Sequence, residues 1–224
     1  MLYLIFVSCK RIRDVKRYII KTNPNSNTMK KNILVLLLIL IFSPLKAQNH
    51  EEGIRRQFRE YNQLVLNKKI NEALDYTIED LFTIIPREQM VNMMESVLNT
   101  PSMEFRGTIP EITDMEPVRE IEGASYVRFK NKAIMEVKFL KSPDEPKRTP
   151  EEEQEYNTML MATLQEQYGE EYVTFDAQSG FYKTVTIKTV IAKSKDLKNW
   201  KFAILDSPTM KVLLGKFIPK ELLD

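Results

Sequence analysis

"SYVRFKNKAIMEVKFL", residues 125–140, keeps one alternation from end to end. Val127, Phe129, Asn131, Ala133, Met135, Val137 and Phe139 share one parity. Tyr126, Arg128, Lys130, Lys132, Ile134, Glu136 and Lys138 hold the other. A period of two is the signature of a strand with one apolar face. Asn131-Lys132 could close a hairpin, but one long bent strand is the more economical reading because the parity never breaks. A strand of that length needs neighbours at its edges and a layer over its apolar face.

The residues downstream supply neighbours. "YVTFDAQSGFYKTVTIKTVIAK" (172–193) reads as a hairpin around "AQSG" with a long second arm, and "NWKFAILD" (199–206) as a last strand in which Trp200, Phe202 and Ile204 alternate. "TPEEEQEYNTMLMATLQEQYG" (149–169) is an inserted helix. Thr149 caps it, Pro150 takes its first position, Glu152 completes a capping box and Gly169 ends it. Its predicted inner face is Tyr156, Leu160, Thr163, Leu164 and Gln167 or Tyr168. "SPTMKVLLGKFIPKELL" (207–223) reads as a short helical tail, with Asp206-Ser207-Pro208 as its cap.

Upstream lie the helices. "EGIRRQFREYNQLVLN" (52–67) sets Ile54, Phe58, Tyr61 and Val65 on one helical face, with Asn67 as the left-handed stop. "KKINEALDY" (68–76) turns Ile70, Ala73 and Leu74 inward. "IPREQMVNMMESVLNTP" (85–101) opens at Pro86 and carries a stripe of Met90, Met93, Met94, Val97 and Leu98, read as core filling. Helices ahead of an antiparallel sheet predict an α+β fold, with the N-terminal helices packed on one face of a curved sheet.

At the N-terminus, "NTMKKNILVLLLILIFSPLKAQN" (27–49) has the layout of an export signal. Lys30 and Lys31 precede the apolar run Ile33–Phe42, and cleavage is expected between Ala47 and Gln48. That run falls short of the roughly 20 residues a spanning helix needs, so no stable membrane span is expected after cleavage. The expected organisation is a mis-assigned extension over 1–28, a signal peptide over 29–47 and one α+β domain over 48–224, exported to the periplasm or beyond. A basic arm over 1–28 is the other reading of that segment.

Residues 1–47 hold nine of the 33 Lys and Arg and one of the 31 Asp and Glu, so residues 48–224 carry 24 and 30, a net charge of −6. That balance removes the electrostatic drive for nucleic-acid binding. The one cysteine is Cys9 and the one histidine is His50, so residues 48–224 hold no thiol, and neither metal ligation nor a nucleophilic triad is expected. No Gly-rich phosphate loop occurs and no cofactor is expected.

"KAQ" (46–48), "LNKKINEALDY" (66–76), "IIPREQMVNMMESVL" (84–98) and "NWKFAILD" together resemble small exported Bacteroidetes-type proteins of unknown function. Their layout is similar to the cone-shaped NTF2-like domains, and the resemblance covers most of residues 50–206. It implies a sheet and helices enclosing a pocket, without choosing a function. Tyr61, Tyr76, Asn131, Trp200 and Phe202 are the pocket-lining candidates, set against ordinary core packing. Three functions follow: a binding or interaction module for a small apolar ligand or a protein partner; a cofactor-independent isomerase or lyase using a carboxylate and a Tyr; an inhibitor-like domain acting through an exposed strand edge or the 149–169 helix.

Overall fold

The computed structural model of the chain describes residues 44–223 except 142–145 and 147, with side chains from His50 onward. The predicted extension, the apolar run of the signal and Cys9 therefore lie outside the described residues, as does most of the charged connector before residue 149. Residues Gln48–Asp224 form one compact unit.

The alternating stretch is a single strand. β4 (Ala124–Phe139) pairs antiparallel with β6 (Phe181–Ser194) over the unbroken register from Ser125↔Ser194 to Val137↔Tyr182. No turn interrupts it at Asn131-Lys132. Shorter strands line the outer edges of this two-stranded spine. Along β4 lie β1 (Met103–Gly107), β2 (Glu111–Met115) and β3 (Arg119–Ile121); along β6 lie β5 (Val173–Asp176) and β7 (Lys201–Leu205). Among the described residues these seven strands form one open antiparallel sheet.

Five α-helices are present among the described residues: α1 (Pro44–Leu66), α2 (Ile70–Ala73), α3 (Arg87–Leu98), α4 (Pro150–Tyr168) and α5 (Pro208–Leu214). The fold class is α+β, as the order of elements predicts. The inserted helix begins as its sequence dictates. Thr149 accepts from the Glu152 amide at 3.2 Å, and Glu152 accepts from the Thr149 amide at 2.8 Å. Gly169 closes it at φ 97°, a conformation costly for any residue with a Cβ. Within α4 the buried residue is Leu164, flanked by Leu160, Met161 and Tyr168; Thr163 and Gln167 are exposed.

Side-chain alternation sorts the core onto two faces. On one face Val127, Phe129, Val190, Ala192 and Phe202 meet Ile54 and Phe58 of α1. Farther along that face, Val137 and Tyr182 meet Leu164 of α4. The opposite face buries Ala124, Tyr126, Ile191 and Ala203 against Ile78, Leu81 and the C-terminal Leu214, Ile218, Leu222 and Leu223, with Met90 of α3 packed alongside. The expected one-sided packing is thus corrected. Tyr126, Ile191 and Ala203 make the opposite parity apolar at that end of the spine, and the C-terminal segment supplies the second layer.

Two local expectations also change. α1 ends at Leu66, and the left-handed residue after it is Lys68 (φ 58°), not Asn67. The methionine stripe of α3 is not core: α3 has no buried residue, and Met93 and Val97 are 56% and 57% exposed. Helical spacing can mark a stripe, but only a surface opposite can bury it, and α3 meets the nearby cluster through Met90 alone.

Candidate functional site

Four of the five pocket candidates converge. Trp200 and Phe202 are 1% and 2% exposed, and Tyr61 and Tyr76 pack against the same cluster. The rings close on one another. Phe58 lies 5.0 Å from Phe129 and 5.2 Å from Phe202, and Tyr61 lies 6.1 Å from Phe58 and 6.2 Å from Phe202. These are ordinary edge and tilted contacts of an aromatic core. Burial raises the Tyr61 hydroxyl above its usual pKa.

Asn131 stands two residues beyond Phe129 on the same face, 4% exposed, and its Oδ1 has no partner. The Trp200 indole N–H is likewise buried without a partner, while the Trp200 backbone N–H donates to Gln57 Oε1 at 2.9 Å. Tyr76 donates its hydroxyl to Glu60 at 3.0 Å where α1 meets the 3-10 turn Leu74–Tyr76. Burial first, then that bond, raises the Tyr76 pKa. This is the Tyr–carboxylate pairing that an acid–base reading requires, but both side chains are half-exposed.

A second constellation lies on the opposite face, where residues distant in sequence form a polar cleft of about 240 Å³. Ile78, Asp80, Lys193, Ser194, Asp196 and Lys201 are among its lining residues. The end of β6 delivers Lys193, whose ammonium donates to Asp80 Oδ2 at 2.5 Å and lies 6.0 Å from the centre of the Tyr126 ring. Burial alone would lower the Lys193 pKa. The Asp80 bond and the charges of Asp80 and Tyr126 outweigh it, and the net shift is upward. Lys193 is therefore a cation at any physiological pH.

The loop "SKDLKNW" (194–200) forms the other wall. Asp196 accepts from the Lys198 amide at 2.9 Å, the Asn199 amide at 2.8 Å and Asn199 Nδ2 at 2.7 Å, and Ser194 donates to it at 2.9 Å. Those donors hold its carboxyl well below the usual carboxylate range. The turn is thereby preformed, with Leu197 at φ 60°. His50 and Gln57 of α1 fasten it from behind, through Leu197 O at 3.3 Å and Lys198 O at 2.7 Å.

Of the acids in the cleft, Asp80 is matched by Lys193, Asp196 is bonded to neutral donors of its own turn, and Glu79 has no ion pair among the described residues. Lys201 donates to the Asp75 carbonyl, a neutral acceptor. Among the described residues, neither Lys195 nor Lys201 has a carboxylate within 4.0 Å, whereas Lys193, at 2.5 Å from Asp80, does. The lining is thus balanced, three lysines against three acids, with Lys195 and Lys201 standing apart from any carboxylate beside a rigid hydrogen-bonded turn.

Sequence reasoning missed this site. The available signal was a lysine on the strand parity that also carries Ile191, followed by an Asp-x-x-Asn turn. Asp80, 113 residues away, gave none.

Among the described residues no group of three or more His, Cys, Asp or Glu side chains converges to hold a metal ion. No described helix is long and apolar enough to cross a membrane. No family model matches the chain, and neither the curated proteins nor the solved structures contain a significant match to it.

Proposed function

We propose that this chain is an exported binding module, NTF2-like in layout, that holds a small anionic molecule in the cleft between Asp80, Lys193 and the 194–200 loop. Lys195 and Lys201, the two cleft lysines with no carboxylate within 4.0 Å among the described residues, beside a preformed turn, carry this reading within a lining that is otherwise charge-balanced. A volume of about 240 Å³ suits a compact ligand rather than a drug-sized one. An apolar ligand is less well served, because aromatic side chains already fill the space between α1 and the sheet. Lys193, kept protonated beside Asp80, acts as a charge and a donor, not as a nucleophile. The helices ahead of an antiparallel sheet with long central strands support the NTF2-like layout. The signal-like segment ending at Ala47 supports export.

Native mass spectrometry of protein purified from its host tests the ligand. A retained small anion, lost in Lys195→Glu/Lys201→Glu without loss of fold, is the expected result. If citrate and phosphate leave the melting temperature unchanged and nothing is retained, the reading fails. N-terminal sequencing of the same material should begin at Gln48.

A further inference from the structure

The compact unit of the chain begins at Gln48, the residue that follows the expected cut after Ala47. α1 runs from Pro44 to Leu66, so a cut there falls inside its first turns. Cleavage makes Gln48 the first residue of the helix. It also removes the carbonyls of residues 44–47, which are the i−4 acceptors of a helix for the amides that follow. What remains is a new helix end with a free α-ammonium on the positive pole of the helix dipole. The first acid along the chain from that end is Glu51, and Arg55 donates to it at 2.7 and 3.0 Å. Its charge is therefore engaged away from the terminus.

We infer, resting on the export reading, that the mature chain carries a pyroglutamyl residue at position 48. A glutamine at a free chain end holds a nucleophile and an electrophile one five-membered ring apart. The neutral α-amine attacks the side-chain amide carbon, and the new N–C bond closes a lactam. The old C–N bond of the amide breaks. The proton that the amine loses is taken up by the leaving nitrogen, which departs as ammonia. The step needs no oxidant, reductant or second substrate.

The helix favours this step in reactant and in product. An unperturbed α-ammonium titrates at about 7.7–8.0, and the positive pole of a helix disfavours the charged form further. More of the amine is then neutral and able to attack. The lactam carries no charge to oppose the dipole, as an acetylated terminus carries none. The ring also closes the chain to aminopeptidases, which require a free α-amine. Two residues on, His50 is bonded to Leu197 O at 3.3 Å and ties α1 to the loop wall of the cleft. Trimming from an open terminus would remove that tie.

The test is the intact mass and N-terminal peptide of the full chain exported by its native host, beside Gln48→Asn. Asparagine serves as the control because its lactam would be a strained four-membered ring. The parent should weigh one ammonia less than a chain that begins at an open Gln48, and an aminopeptidase should leave it whole. Gln48→Asn should keep its ammonia and be trimmed. A parent chain that begins at Gln48 with its full mass overturns the pyroglutamyl terminus and leaves the export reading standing. A parent chain that begins at another residue after the signal does the same. A parent chain that keeps residues 29–47 overturns both.

Discussion

α1 and α3 carry apolar stripes of the same spacing and meet opposite fates. Ile54 and Phe58 of α1 are 0% and 1% exposed, whereas α3 buries no residue at all. α1 lies across the sheet face holding Val127, Phe129 and Phe202, and polar bonds fix it there: Gln57 to Lys198 O and the Trp200 amide, Arg55 to Ile112 O at 3.3 Å. α3 is held by its ends. At one end Arg87 binds the Asn71 carbonyl and Asp75 at 2.7 Å; beyond the other, Lys68 donates to Asn99 at 3.0 Å. A stripe is an offer of apolar surface, and its energetic value depends on whether the fold places a surface opposite.

Substitutions along the two helices should separate accordingly. Phe58→Ala removes the ring at the centre of the aromatic cluster and should destabilise the protein by about 3–5 kcal/mol in urea unfolding. A loss below about 1 kcal/mol would mean that α1 is no better anchored than α3. Gln57→Ala should cost about 1–3 kcal/mol, because the buried Trp200 amide loses its acceptor. The matching measurement is slowed or accelerated exchange of that amide, and acceleration is expected.

Asn131→Leu asks whether the α1 side of the sheet needs the buried Asn131 amide. Oδ1 has no partner, so replacing it with an apolar group should leave stability level or raise it by about 1 kcal/mol. A lower melting temperature would show that the amide fixes the strand.

Gly53→Ala should stabilise α1 by about 0.5–1 kcal/mol, since a Cβ there meets nothing closer than the Trp200 indole nitrogen at 3.9 Å. On α3, Met93→Gln and Val97→Gln together should shift stability by less than about 0.5 kcal/mol. A large loss from that pair would erase the contrast between the helices.

Sequence and structure agree where a signal is local. The parity of residues 125–139, the Thr149–Glu152 capping box and the "AQSG" hairpin all depend on neighbours within a few residues, and each forms as read. They diverge where a feature depends on what lies opposite. The cleft joins Asp80 to Lys193, β5 and β7 pair with separate stretches of β6, and the C-terminal tail covers a second face of the sheet.

The sequence by itself determined the α+β class, the single long strand β4 and the caps of α4 and α5, because backbone period and capping are near-neighbour chemistry. Only the tertiary structure decided which stripe became core, which segment covered the second face of the sheet and which lysines share a cleft. Burial, edge pairing and charge matching are properties of contacts between distant segments, and no residue's immediate neighbours encode them.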